Sequence, residues 1–192
     1  MIKYPNGTRK TRPKTTPKSM VNYADRGMNF ESEIDQSNEY YRKVNRALIY
    51  KKPTPIKVVK ASKNETGSYQ INEAYFMQPS TTDYNGIYRE KYIDFEAKET
   101  KNSNLFPLSN IHKHQLEHLF AVQRHGGIAF ILVRFVKHNE VYLLDASFLE
   151  SAISQNLKSL RYEFFKEKAL LVPFGYQVPI DYLRVVDDYY FQ

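Results

Sequence analysis

Past residue 22 the apolar positions fall at helical spacing, with Phe30, Ile34, Tyr41 and Val44 on one side of a helix from Met28 to about Leu48. Glu31, Glu33 and Asp35 sit near its start, where the helix dipole favours acids. In the following stretch, Ala47–Lys60, Pro53 and Pro55 each remove a backbone donor and forbid a central strand. A strand resumes at Ile56, polar Ser62–Ser68 follows, and a second strand from Tyr69 to Met77 completes a projecting hairpin. Ile87–Tyr92 reads as a strand end, a short turn without an Asn-Gly pair, and a strand start. Tyr92–Lys98 alternates, and Glu99–Phe106 is a loop. Ser109 caps a helix from Asn110 to about His125, with Leu116, Leu119, Phe120 and Val122 apolar, and Gly126-Gly127 ends it. Residues 128–136 are a buried strand and 140–145 another. Phe148–Leu157 and Ser159–Ala169 look helical, and Asp181 caps a last helix to Tyr190. This order predicts an α/β fold, a mixed β-sheet flanked by helices, with no internal repeat.

A chain of 192 residues with 42% hydrophobic content is long and apolar enough for one folded domain. Its net charge of +7 favours a polyanionic partner, nucleic acid ahead of an acidic membrane. Residues 1–22 form a separate region, expected to be a disordered basic arm, with residues 23–192 as the folded domain. Lys3, Arg9, Lys10, Arg12, Lys14 and Lys18 lie among prolines and threonines, and no acid precedes Asp25. Arg9, Lys10 and Arg12 are therefore candidate phosphate contacts. On the hairpin, Lys51, Lys52, Lys57 and Lys60 would line the first arm and Tyr75 and Phe76 the second. That interleaving suits distorted DNA, where rings can stack on bases; an edge hairpin whose lysines block aggregation is the blander reading. The chain has no cysteine, hence no disulfide, thiolate metal site or cysteine nucleophile. No apolar signal segment is seen at the start, and no run approaches the roughly 18 apolar residues of a membrane span. A cytoplasmic, nucleoid-associated protein with no membrane partner is expected.

Thr81-Thr82-Asp83-Tyr84-Asn85-Gly86, then Glu96-Ala97-Lys98 closing a hydrophobic strand, is the pattern of a metal-dependent phosphodiesterase. Attack on an anionic phosphodiester needs a divalent ion to neutralise developing charge, and hard Mg²⁺ takes carboxylate oxygens. Mn²⁺ is a plausible substitute. A lysine beside the phosphoryl group orients the nucleophile or stabilises negative charge. Strand alternation puts Ile93, Phe95 and Ala97 on one face and Asp94, Glu96 and Lys98 on the other; Asp83 reaches them if its segment pairs with this strand. Glu31 is a candidate accessory carboxylate, with the helix start as its competing explanation. His114-Gln115-Leu116-Glu117-His118 also matches H-x-x-E-H, a zinc-peptidase signature on one helix face, but a third ligand would have to come from a downstream acid such as Glu150, Glu163 or Glu167, and short patterns recur by chance. Gln115 can instead lean over the polar end of the strand.

With these elements placed, the chain resembles the RecU family, Holliday junction resolvases of Gram-positive bacteria and their phages in the PD-(D/E)xK nuclease superfamily. Tyr4-Pro5-Asn6-Gly7, Arg26-Gly27-Met28, Lys51-Lys52-Pro53-Thr54-Pro55, Glu73-Ala74-Tyr75-Phe76, Ser80–Gly86, Tyr92–Lys101, Phe106-Pro107-Leu108, His112, His114-Gln115 and Glu117-His118 carry the likeness. The resemblance implies a restriction-endonuclease-like core and a protruding β-hairpin stalk, about residues 52–77. It implies a homodimer that nicks opposing strands of four-way junction DNA in recombination and repair. Thr81, Asp83, Glu96 and Gln115 would surround Mg²⁺, Asp83, Glu96, Lys98 and Gln115 forming the catalytic set, and the H-x-x-E-H match would be accidental. A RecA-type recombinase and a branch-migration helicase are the expected protein partners. The family's Lys-Arg pair near the stalk tip is replaced by Ser62-Lys63-Asn64-Glu65-Thr66-Gly67. The rival reading is a catalytically silent junction-binding or recombinase adaptor on the same fold.

Overall fold

The computed structural model describes residues 29–77 and 81–191; the basic stretch with Arg9, Lys10 and Arg12 lies outside them. Helix α1 (Phe30–Lys43) begins at Asn29, whose side chain accepts from the Ser32 N–H at 2.8 Å. It buries Phe30, Ile34 and Tyr41. The helix stops earlier than its periodicity suggests, because Asn45 takes a left-handed conformation (φ 54°) and the chain turns into strand β1 (Leu48–Lys51), so that Ile49 is buried.

Strands β2 (Ile56–Lys63) and β3 (Tyr69–Phe76) form a separate antiparallel pair, exposed along almost its whole length. Its turn closes with the Asn64 N–H on the Ser68 carbonyl at 2.9 Å, and Gly67 supplies the positive φ. The main sheet has six strands in the order β1-β4-β5-β7-β8-β10, comprising also β4 (Tyr84–Tyr88), β5 (Lys91–Thr100), β7 (Ile128–Phe135), β8 (Glu140–Asp145) and β10 (Leu170–Val172). It is mixed: β5 and β7 run parallel at its centre and every other pair is antiparallel. The parallel pair requires a crossover, which is helix α2 (Lys113–Arg124). The chain is therefore an α/β protein, a mixed sheet with helices on both faces.

One core layer packs α1 and helix α5 (Tyr182–Tyr190) on the sheet through Ile49, Tyr84, Ile93, Phe95, Phe130 and Tyr182. Phe95 stacks on Tyr84 at 4.8 Å and on Phe130 at 4.9 Å, tying the three central strands across one face. The other layer packs α2 and helix α3 (Ala146–Ser154) through Leu119, Val122, Ile131, Val133 and Leu149. Gly86 of β4 is needed for close approach, since a Cβ there would lie 1.9 Å from the Leu48 carbonyl oxygen.

Some boundaries differ from the sequence reading. Lys113 opens α2 after a 3₁₀ turn at Leu108–Asn110, so Ser109 is not its cap. Asp145 caps α3, accepting from the Ser147 N–H at 2.9 Å. Ser159–Arg161 is not helical but a strand, β9, paired with β6 (Leu105–Pro107), and only Tyr162–Lys168 form helix α4. Asp181 occupies the N-cap position of α5 but accepts from the Tyr41 hydroxyl at 2.8 Å instead. Among the described residues no helix is long and apolar enough to cross a membrane.

The β4–β5 turn is two residues, Arg89 and Glu90, both with positive φ (46° and 65°), the geometry usually assigned to Asn-Gly. The strain, about 1–2 kcal/mol per residue, is offset from α5. Arg89 bonds Asp187 at 3.0 Å and lies 4.3 Å over the Phe191 ring, while Tyr88 and Arg46 also donate to Asp187. Burial alone would raise the Asp187 carboxyl; the donors from Tyr88, Arg89 and Arg46 outweigh it and hold the group below its ordinary range. A depressed acid contributes stability above its unfolded pKa, near 3.9, and loses it as pH falls through the folded value. Asp187→Asn is accordingly expected to cost about 1–2 kcal/mol at pH 6, allowing for solvent screening. In urea melts the difference from wild type should shrink below pH 4; a pH-independent difference would refute the ion-pair account.

Candidate active site

Register brings the acidic motif together. Tyr84 pairs with Phe95, so Asp83 at the entry to β4 stands beside Glu96 on β5. The Asp83 N–H donates to Glu96 Oε2 at 3.1 Å, and the Asp83 carbonyl accepts from the Lys52 N–H at 2.7 Å. Ile93, Phe95 and Ala97 belong to the α1 layer, which turns Asp94, Glu96 and Lys98 toward α2. Glu96 is wholly buried, with the Lys98 ammonium 2.6 Å from its Oε1.

Glu96 is an acid in a place unfavourable to its charged form. Burial, then the hydrogen bond and charge of Asp83, push its carboxyl up to about 8, against the opposing pull of Lys98. Its Oε1 has an ionic neighbour but no hydrogen-bond partner. Two adjacent carboxylates with an unfilled lone pair suit a hard divalent cation, which would replace the shared proton. Asp83 and Glu96 would hold it. Among the described residues no group of three or more His, Cys, Asp or Glu converges, so remaining ligands would be hydroxyl, amide, backbone, water or substrate oxygens.

The other sequence candidates fall in different places. Thr81 is near the site, its hydroxyl accepting from Lys52 Nζ at 3.3 Å. Gln115 is buried on α2, but its side-chain oxygen accepts from the His112 N–H at 2.9 Å and so closes the first turn of that helix. Glu31 lies in the α1 layer, ion-paired to Lys51 at 2.6 Å, with its carbonyl taking the Tyr84 hydroxyl at 3.2 Å. The Lys51 ammonium is raised above its usual range, first by that hydrogen bond to Glu31. Lys51 and Lys52 do not line the hairpin as expected. Lys51 ends β1, and Lys52 turns its ammonium inward onto Thr82 and Asp94 at 2.9 and 2.8 Å. Lys57 is on the hairpin opposite Tyr75, Lys60 is paired to Glu73 at 3.1 Å, and Phe76 is 84% exposed. The histidines of the H-x-x-E-H match diverge: His114 stacks on His112, Glu117 bonds Lys113, and His118 contacts Asp94. No zinc site forms from them.

Asp94, Thr82 and His118, which the motifs contain without assigning them a role, are polar partners of the site. The signal available was Asp94 two residues before Glu96, on the same strand face.

The Glu96 environment makes a stability prediction. An acid with a raised folded pKa stabilises below its unfolded value, about 4.3, and loses that contribution as pH rises through the folded one. In metal-free buffer the wild-type melting temperature should fall between pH 5 and 8.5, whereas Glu96→Gln should remove that slope and melt higher at pH 8.5. Equal slopes in the two proteins would contradict the buried-acid assignment.

The family model "RecU: Recombination protein U" matches residues 25–188. The "Holliday junction resolvase RecU" of Bacillus cereus (strain G9842) is 46% identical over 197 aligned residues, covering 99% of this chain and 98% of the relative. That of Bacillus thuringiensis (strain Al Hakam) is 47% identical with the same coverage. A solved structure, Archaeoglobus fulgidus Hjc, a Holliday junction resolvase from an archaeal hyperthermophile, aligns with a TM-score of 0.40 and 12% identity, over 69% of this chain and 93% of that one. The family model covers most of the sequence and the Bacillus relatives align almost end to end, so the chain belongs to the RecU family.

Proposed function

We propose that this chain is a Holliday junction resolvase, an endodeoxyribonuclease that uses Mg²⁺, with Mn²⁺ as a substitute, to place paired nicks in four-way junction DNA. The observation that carries the reading is the buried Glu96 carboxylate beside Asp83, with Lys98 at 2.6 Å, on the central strand of a RecU-family fold. A divalent ion bound there supplies the neutralising charge that attack on a phosphodiester requires. Asp83 and Glu96 bind and orient it. Lys98, held beside Glu96, sets a positive charge where negative charge grows on the phosphoryl oxygens. Burial of Glu96 keeps water from its carboxyl, which strengthens its electrostatic contacts.

DNA binding is supported by exposed basic and aromatic side chains on the β2–β3 hairpin, where Lys57 faces Tyr75 and Lys63 faces Tyr69 in register. A homodimer is supported by the sheet surface beyond α2. Leu48, Ile87 and Tyr92 point away from the α1 layer and are 53%, 57% and 40% exposed. The patch runs into a cleft of about 390 Å³ lined by Tyr92, His118, Ala121, Val122, His125 and Gly127. A second copy covering this face would put two sites on one junction.

Asp83→Ala and Glu96→Ala are expected to slow cleavage of a mobile four-way junction about a hundredfold or more while leaving junction binding in EDTA in place. Comparable cutting by either variant would sink the assignment, and tight binding by wild type with no Mg²⁺-dependent cutting would favour the adaptor reading. Ile87→Glu should halve the mass measured by light scattering and uncouple the two nicks; a dimer that persists would place the interface elsewhere.

A further inference from the structure

Asp94 lies two residues before Glu96, on the same face of β5, and is wholly buried. Its donors are unusually many. Lys52 Nζ at 2.8 Å, the Tyr92 hydroxyl at 2.8 Å and His118 Nε2 at 3.0 Å meet Oδ2, and the Thr82 hydroxyl donates to Oδ1. An ionised carboxylate accepts only, so His118 presents its Nε2–H here. Burial of a charge demands such partners. What the demand does not explain is where the partners lead.

They lead to the catalytic loop. The Lys52 ammonium that pairs with Asp94 also donates to Thr82 Oγ1 at 2.9 Å and Thr81 Oγ1 at 3.3 Å. Its backbone N–H holds the Asp83 carbonyl at 2.7 Å. One residue thus grips three consecutive positions, 81, 82 and 83, and Asp94 grips that residue and Thr82 together. The far end of the segment closes on the site through the Asp83 N–H and Glu96 Oε2 at 3.1 Å. Pro53 follows Lys52 directly, which restricts the Lys52 backbone to extended conformations and limits how far its grip can shift.

We infer that Asp94, Lys52 and Thr82 are positioning residues that hold segment 81–83 against Glu96 and so set the geometry in which Asp83 and Glu96 take a divalent ion. The inference rests on the metal-dependent nuclease reading and assigns Lys52 to the site instead of to DNA. A network that served folding alone would change melting behaviour and leave the metal affinity of the folded protein where it was.

The test uses the full chain as wild type, Asp94→Asn, Lys52→Met, the double variant, and Thr82→Val. Mn²⁺ binding is measured by calorimetry without DNA, junction binding in EDTA, and single-turnover junction cleavage across a Mn²⁺ series. Each single variant is expected to bind Mn²⁺ about 10- to 100-fold more weakly, the range seen when groups that orient metal ligands are removed. Cleavage should fall in step at low Mn²⁺ and recover at saturating Mn²⁺, with junction affinity in EDTA unchanged. Because the residues act as a unit, the double variant should cost no more than the worse single. Wild-type Mn²⁺ affinity in the variants would overturn the inference, as would a loss of cleavage matched by lost junction affinity in EDTA. Should Asp94→Asn fail to fold, Thr82→Val decides, since it removes one link and leaves Asp94 its other donors. A wild type that neither binds Mn²⁺ nor cuts would bring down the nuclease reading itself, whereas an active wild type with unaffected variants would bring down this inference alone.

Discussion

Two carboxylates buried two residues apart on a central strand set the terms for the rest of this molecule. Asp94 and Glu96 are both wholly inaccessible, on a strand at the centre of the sheet. A charge there is costly unless paired, and the fold answers the two cases differently. Asp94 receives a lysine, two hydroxyls and an imidazole. Glu96 receives a lysine and one backbone N–H, and keeps an oxygen without a hydrogen bond beside a second acid. The first arrangement is closed and suits structure; the second is incomplete and suits binding a cation. Chemistry and scaffolding thus occupy adjacent turns of the same strand pleat.

Much of the site was legible because strand period is a strong constraint. Once Ile93, Phe95 and Ala97 face a core, Asp94, Glu96 and Lys98 must share the opposite side, whatever else the chain does. The place of Asp83 followed only if its segment paired with that strand, and the register places it there. Lys52 was not legible. Whether a lysine after a short edge strand points outward or inward depends on how β1 pairs with β4, and the four residues of β1 have no periodicity long enough to read. The same limit hid β9 and β10, three-residue strands defined by their partners and not by their own pattern. Gln115 illustrates a further ambiguity, since the polar residue expected to lean on the metal site also fits the first turn of α2, and its oxygen is on the His112 N–H.

The positive-φ turn between β4 and β5 has a consequence for the order in which the chain matures. Tyr88 and Arg89 are held by Asp187, which lies 99 and 98 residues further along. At ribosomal rates of about 5–20 residues per second, that partner arrives several seconds after β4 and β5 have been made. Until α5 docks, the hairpin that aligns Asp83 with Glu96 has neither its strained turn secured nor the Tyr182 side of its core filled. A nascent chain therefore carries Asp83 and Glu96 on a hairpin not locked into register until α5 has been made and has docked.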